Sequence, residues 1–176
     1  MAKASAPGKC ILFGEHAVVY GHPAIALAID QRMSVTIGPA KQWQIEGTPM
    51  NFERHPHIRT LKNRLWENGP PLSVMIDTDI PPGSGLGSSA ALSVAAAAVL
   101  RSMRGRFTDS EGNWREGWSS ERENDVYNSA GQNEDGEKRL TGEDAIDTDE
   151  CAILAHAVEA NAQGGRASPI DSSTCA

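Results

Sequence analysis

A glycine-rich loop between an apolar strand and an alanine-rich helix is the feature that most constrains the fold. Residues 81–91 read Pro-Pro-Gly-Ser-Gly-Leu-Gly-Ser-Ser-Ala-Ala, with three glycines in five positions. Glycine lets backbone N–H groups approach an anion closely, and the N-terminal end of the following helix is directed at the same point. The segment therefore predicts a strand–loop–helix unit that binds the phosphate groups of a nucleotide.

The spacing of this loop excludes two common nucleotide-binding motifs. The chain contains no G-x-x-x-x-G-K-[ST] sequence, and Gly83, Gly85 and Gly87 do not have the spacing of the dinucleotide fingerprint. A flexible turn in front of a helix is the alternative interpretation of the same residues. The loop alone leaves both interpretations open.

The rest of the chain predicts a mixture of strands and helices. Apolar runs that predict strands occur at 10–13, 17–20, 24–29, 34–37 and 72–77, and residues 42–46 alternate as a half-exposed strand does. Helical spacing of apolar residues is found within 52–66, 88–100 and 149–161. Strands interspersed with a few helices predict an α+β domain.

The acidic charge of the chain is concentrated in one segment. The formal net charge is −7. Residues 101–150 contain 7 basic and 14 acidic side chains, whereas residues 1–100 contain 8 and 7. Because the apolar residues of 101–150 have no period, we expect an acidic, disordered insertion there. A chain without excess positive charge also argues against binding to nucleic acid or to an anionic membrane.

The cysteines and the chain ends predict a protein of the cytoplasm. Cys10, Cys151 and Cys175 form no C-x-x-C pair, so a disulfide scaffold and a zinc site are not expected. The N-terminus has no apolar run typical of a signal peptide, and residues 90–100 are too short to span a bilayer. Because the chain stops directly after a motif-like stretch, we expect it to be truncated.

Three segments together resemble the GHMP kinases. They are the glycine-rich loop, residues 4–21 (Ala-Ser-Ala-Pro-Gly-Lys-Cys-Ile-Leu-Phe-Gly-Glu-His-Ala-Val-Val-Tyr-Gly) and residues 159–174. Within the first segment, Gly-Glu-His-Ala-Val-Val-Tyr-Gly resembles the form found in mevalonate kinases, since galactokinases have Gly-Glu-His-Thr-Asp at this place. The third segment resembles the mevalonate kinase stretch in which a helical Glu is followed by Gly-x-Ala-Ser-Pro-x-Asp.

The resemblance implies a fold and an activity. The fold is the α+β N-terminal domain of that family, a two-layer mixed sheet with helices on one side and a left-handed β-α-β unit, formed by residues 1–100 and 151–176. The C-terminal domain, with its third, Gly-Ala-Gly-rich motif, is then largely absent. The activity is transfer of the γ-phosphoryl group of Mg-ATP to the 5-hydroxyl of mevalonate. A phosphomevalonate or homoserine kinase, and an inactive nucleotide-binding fragment, are the alternatives, and a homodimer stays open.

The resemblance also implies roles for individual residues. Asp171 matches the catalytic base, Lys9 the cation beside it, and Ser89 and Glu159 the two Mg²⁺ ligands. One residue more than usual separates Glu159 from Asp171, and we place it within residues 163–166. Glu15 and His16, with Lys9 and Asp171, match positions that approach the acceptor substrate, while His57 and His156 match no functional position. The predicted nucleotide-binding residues are Pro82, Gly83, Ser84, Gly85, Leu86, Gly87, Ser88, Ser89 and Ala90.

Overall fold

The computed structural model describes residues 1–104, 106–108, 114–116, 139–140, 146–164 and 167–176. The strands are β1 (Ala2–Phe13), β2 (Ile25–Pro39), β3 (Gln44–Ile45), β4 (Thr48–Pro49), β5 (Leu72–Thr78), β6 (Arg106–Thr108), β7 (Trp114–Glu116) and β8 (Arg139–Leu140). The helices are α1 (Pro56–Leu65), α2 (Ser88–Arg104), α3 (Thr148–Ala162) and α4 (Pro169–Cys175), with a 3-10 helix at Val18–Tyr20.

The main sheet is mixed and has the strand order β1-β2-β5-β3-β4. Its pairs are antiparallel except for β3 with β5, which run parallel and are connected through α1. Alternate residues of the paired strands, among them Val35, Ile37 and Val74, are buried, whereas Met75 is exposed. One face of the sheet therefore carries the core, as the period of two along a strand requires. A smaller sheet has the order β7-β6-β8.

Helix α2 is the centre of the second layer. It contacts β1, β2, α1, α3 and α4. Its run of alanines at 95–97 is fully buried, and such small side chains allow neighbouring backbones to approach closely. The sequence prediction of an α+β domain with a mixed sheet is confirmed. The left-handed sense of the β-α-β unit stays a prediction.

Several predicted elements differ from the structure. Residues 17–20 form a 3-10 helix instead of a strand, because Gly14 and Gly21 on either side have positive φ angles of 88° and 80° that turn the chain. The runs 24–29 and 34–37 belong to a single strand, β2, whose polar residues Asp30 to Arg32 are exposed, so they cost no buried charge.

Two helices, α1 and α4, begin at a proline. Helix α1 starts at Pro56, since proline fits the first turn, where its missing N–H group has no partner to lose. Residues 169–175 form α4, which the sequence analysis did not predict. Asp171, expected in a loop, therefore lies in the first turn of a helix.

The predicted acidic insertion falls mostly outside the described residues. Helix α2 extends beyond the predicted end at residue 100 to Arg104, and α3 begins at Thr148. Buried Arg101 forms an ion pair with Glu150, so both ends of the 101–150 segment are fixed to the body. Between them, β6, β7 and β8 are described, and the boundaries of the insertion stay a prediction. Across the part of the chain that the structure describes, no helix is long and apolar enough to span a membrane.

Candidate active site

The glycine-rich loop follows β5 and leads directly into α2. Gly83, Gly85 and Gly87 have φ angles of 68°, 73° and 73°, a left-handed conformation that side chains with a Cβ rarely adopt. Ser84 Oγ donates a hydrogen bond to the Pro81 carbonyl oxygen at 2.7 Å and fixes the first turn of the loop. Residues 81–85 are exposed, so this backbone is accessible to a ligand at the N-terminal end of α2.

Strand β1 packs directly against the loop. The Lys9 N–H donates to the Leu86 carbonyl oxygen at 2.9 Å. A Cβ atom on Gly87 would lie 2.7 Å from Lys9 Cγ, and one on Gly8 would lie 2.9 Å from the Leu86 oxygen. Both glycines are therefore required for the close approach that brings Lys9 to the loop.

Lys9 and Asp171 form an ion pair beside this contact. Lys9 Nζ lies 2.9 Å from Asp171 Oδ1. The Lys9 side chain is 8% exposed and that of Asp171 is 33% exposed, so the carboxylate faces solvent more than the ammonium does. Ser168 caps α4 through its Oγ, which accepts the Ile170 N–H, and this cap fixes the first turn on which Asp171 lies.

Ser89 and Glu159 form a second contact, in the first turn of α2. Ser89 Oγ donates to Glu159 Oε2 at 2.8 Å, and Ser93 Oγ donates to Glu159 Oε1 at 2.8 Å. Gln163 Nε2 donates to Oε2 at 2.9 Å, and His57 Nε2 lies 2.9 Å from Oε1. The Glu159 carboxylate, on α3, thus accepts two hydrogen bonds at Oε2 and one at Oε1, and His57 Nε2 lies at ion-pair distance from Oε1.

The protonation of Glu159 follows from these contacts. Burial raises the pKa of this carboxyl. The interactions with His57, Ser89 and Ser93, together with the charge of His57, lower the pKa by more than burial raises it. The net result is a pKa below the usual value of 4.5. Glu159 is therefore a buried carboxylate that stays ionised at neutral pH.

The two contacts lie within electrostatic reach of each other. The thiol of Cys175, in the last turn of α4, interacts with the charges of Asp171, Lys9 and Glu159. Burial and then the Asp171 charge raise the pKa of Cys175 to about 12. The loop, the Lys9–Asp171 pair and the Ser89–Glu159 pair consequently form one site at the junction of β1, α2, α3 and α4.

The structure does not bring all of the predicted residues together. Glu15 and His16 lie on the exposed turn after β1, and neither makes a hydrogen bond or ion pair with another described residue. The extra residue predicted within 163–166 falls after the end of α3, where Gly164 has a φ of 65° and Gly165 and Arg166 lie outside the described residues. Glu159 and Ser89, which are predicted as a pair, do lie in contact.

Three residues of the site escaped the sequence analysis. Ser93 lies four residues after Ser89, a spacing that places both hydroxyls on one face of α2 and could have indicated it. Gln163 follows Glu159 at the same spacing on α3. His57 carries no such signal, because nothing in the sequence around it points to α3.

The oxygen atoms of Ser89 and Glu159 fit a magnesium ion. Neighbouring ligands of an octahedral Mg²⁺ at ~2.0–2.1 Å lie about 2.9 Å apart. The 2.8 Å between Ser89 Oγ and Glu159 Oε2 matches that separation. Among the described residues no three His, Cys, Asp or Glu side chains form a metal-binding group. Two oxygen ligands would leave the other positions of a six-coordinate Mg²⁺ to phosphate and water.

The burial of Cys175 predicts a chemical property of the folded chain. We expect iodoacetamide at pH 9, the ordinary pKa of a thiol, to alkylate half-buried Cys10 and to leave Cys151 and Cys175 unmodified. Since the folded Cys175 thiol stays protonated to about pH 12, stability is lost as the pH rises from 9 towards that value. Mass spectrometry of peptides checks the alkylation pattern, with the denatured chain as control. Rapid alkylation of Cys175 in the folded chain would contradict the prediction.

Comparison with known proteins relates this site to a family. Residues 56–133 match the family model described as GHMP kinases N terminal domain. The chain is 42% identical over 114 residues to a mevalonate kinase of Methanothermobacter thermautotrophicus. This match covers 60% of this chain and 37% of that protein. It is 45% identical over 103 residues to a mevalonate kinase of Archaeoglobus fulgidus, covering 55% of this chain and 36% of that protein.

A solved structure extends the similarity over almost the whole chain. The mevalonate kinase from methicillin-resistant Staphylococcus aureus superimposes with a TM-score of 0.58 and 28% sequence identity, covering 98% of this chain and 49% of that one. The chain therefore spans a little over a third of the length of the two curated relatives, and half of the solved structure. The matched family model, the curated relatives and the mixed-sheet fold all relate this chain to the N-terminal domain of the GHMP kinases.

Proposed function

We propose that the protein carrying this sequence is a mevalonate kinase that transfers the γ-phosphoryl group of Mg-ATP to the 5-hydroxyl of mevalonate. The observation that carries the proposal is the 2.9 Å Lys9–Asp171 pair beside the glycine-rich loop. Phosphoryl transfer needs a base or orienting group for the acceptor, a cation for the phosphate charge and a phosphate-binding backbone, and these three are adjacent here. The resemblance of 14–21 and the mevalonate kinase relatives support the acceptor.

The nucleotide phosphates would bind to the loop. The backbone between Pro82 and Ser88, which is exposed up to Gly85, provides N–H groups, and the N-terminal end of α2 provides a favourable dipole. Ser84 is already bonded to the Pro81 carbonyl, so it shapes the loop and leaves phosphate contacts to the backbone.

Ser89 and Glu159 would hold the magnesium ion. Bound together with ATP, Mg²⁺ neutralises phosphate charge and makes the γ-phosphorus more electrophilic. The ionised state of Glu159 is what a hard cation requires, and its low pKa keeps the carboxylate available.

Asp171 and Lys9 would act on the acceptor hydroxyl. As the 5-oxygen of mevalonate forms its bond to the γ-phosphorus, the bond from that phosphorus to the β,γ-bridging oxygen breaks. ADP leaves with the electron pair, and the hydroxyl proton passes to the partly exposed Asp171 carboxylate. The Lys9 ammonium, which belongs to a buried side chain, would stabilise the negative charge that develops on the transferred group.

Glu15 and His16 would contact the acceptor from the turn after β1. Their side chains are exposed and have no described partners, so they are free to bind a polar substrate. The homodimer, the cytoplasmic location and the disordered insertion stay predictions.

A comparison of acceptors tests the function. Coupled ADP release should be measured for the protein carrying this sequence with mevalonate, phosphomevalonate and homoserine, each at the same concentration of Mg-ATP. We expect mevalonate to give the highest kcat/KM. A preference for phosphomevalonate or homoserine would support kinase activity but contradict mevalonate as the substrate. ATP binding by calorimetry without any turnover would favour a non-catalytic nucleotide-binding chain.

A further inference from the structure

His57 contacts the candidate metal ligand although the sequence assigns it no role. It lies in the first turn of α1, and its Nε2 atom is 2.9 Å from Glu159 Oε1. Its side chain is 20% exposed and that of Glu159 is 4% exposed, so water competes little for this contact. Nε2 can donate a proton in the neutral ring as well as in the charged one.

The Glu159 carboxylate is in contact with side chains from three helices. Oε2 accepts from Ser89 of α2 and from Gln163 at the end of α3. Oε1 accepts from Ser93 of α2 and faces His57 of α1. A carboxylate rotates about one bond, and groups on Oε1 therefore decide where Oε2 points. Without His57, Ser93 alone among the described residues would hold Oε1.

Helix α1 does not need His57 to remain packed on α3. Asn161 Nδ2 donates to Thr60 Oγ1 at 2.8 Å, one turn further along α1. Ile58, Leu61 and Leu65 of the same helix are buried in the core. The His57 contact is thus additional to the interactions that anchor the helix, and it places Nε2 at ion-pair distance from the carboxylate.

From these contacts we infer that His57 is a positioning residue that fixes the Glu159 carboxylate with Oε2 at Ser89, and that it thereby sets the affinity of the nucleotide complex for Mg²⁺. This inference rests on the function proposed above. Residues that orient a metal ligand typically change metal affinity by about 10- to 100-fold when they are removed.

Calorimetry on the whole chain tests the inference. Mg²⁺ should be titrated into the chain saturated with a non-hydrolysable ATP analogue, and binding of the free analogue should be measured separately in EDTA. We expect His57→Ala to weaken Mg²⁺ binding about 10- to 100-fold and to leave analogue binding in EDTA within about twofold of the unsubstituted chain.

Conservative variants and a matched control separate positioning from folding. A glutamine amide nitrogen reaches roughly as far as Nε2, so His57→Gln should recover most of the Mg²⁺ affinity, whereas the shorter His57→Asn should not. Thr60→Val removes the neighbouring bond between α1 and α3 without touching Glu159. We expect it to lower the thermal midpoint while leaving the affinity for Mg²⁺ unchanged.

The outcomes distinguish this inference from the function on which it rests. If Mg²⁺ binds the unsubstituted complex and His57→Ala binds it equally well, the positioning role is wrong while the proposed function stands. Equal losses of Mg²⁺ affinity in His57→Ala and Thr60→Val would show a general effect of α1 packing and would also overturn it. If the nucleotide complex binds no Mg²⁺, neither in the unsubstituted chain nor in Glu159→Gln, this result contradicts the proposed function and the inference together.

Discussion

Asp171→Asn should reduce the phosphorylation of mevalonate by about 10²- to 10⁴-fold in kcat, the range that general-base catalysis contributes. The amide has nearly the shape of the carboxylate and can keep its place in the first turn of α4. It cannot take up the proton of the acceptor hydroxyl. Because Asp171 does not belong to the loop, the affinity for ATP should change by about twofold or less. The measurement is steady-state ADP release combined with ATP binding by calorimetry.

Asp149→Asn is the matched control for this substitution. Asp149 also lies in the first turn of a helix, α3, and it faces a separate cavity of about 540 Å³ that includes Pro169 and Ser173 but neither Lys9 nor Glu159. We expect turnover within about twofold of the unsubstituted protein, as for most changes away from a site. Retained turnover in Asp171→Asn would remove the base from the proposed reaction.

Lys9→Met should have the second-largest effect, a loss of about 10²- to 10³-fold in kcat, as expected when a group that stabilises transition-state charge is removed. Methionine fills most of the space of the lysine stem against Gly87, so packing is largely retained. The ammonium 2.9 Å from Asp171 is lost, and the developing charge has no cation beside it.

Lys3→Met provides the control for the loss of a lysine on the same strand. Lys3 lies on β1 like Lys9, but its side chain is exposed. Turnover of Lys3→Met should match that of the unsubstituted protein. Lys9→Met with nearly full kcat, or with its only effect on KM for ATP, would show that Lys9 does not act on the transferred group.

Local sequence patterns predicted the parts of the fold that depend on nearby residues. The apolar run at 72–77 and the alanine-rich run after Ser88 correspond to β5 and α2, because strand and helix patterns are properties of short segments. The 3-10 helix at Val18–Tyr20 was missed because two glycines outside the apolar run determine its conformation. Helix α4 was missed because seven residues are too few to show a helical period.

The site was predictable only where the resemblance supplied long-range information. Lys9 and Asp171 lie near opposite ends of the chain, and Ser89 and Glu159 are 70 residues apart; no periodicity connects either pair. The motifs named these residues, and the fold brings each pair into contact. His57 lies outside every motif, and its proximity to Glu159 arises only from the packing of α1 on α3. Such tertiary contacts are not encoded in the residues next to a side chain.

The position of the metal–nucleotide complex tests the central claim most directly. Mn²⁺ can replace Mg²⁺ in the complex of the ¹⁵N-labelled chain with a non-hydrolysable ATP analogue, and its unpaired electrons broaden the NMR signals of nearby amides. We expect the strongest broadening at Gly87, Ser89 and Glu159, and weaker broadening at Ile153 and Ser173 beside the separate cavity. Broadening centred on that cavity, with sharp signals from the loop, would contradict a phosphoryl-transfer site formed by the loop, Lys9 and Asp171.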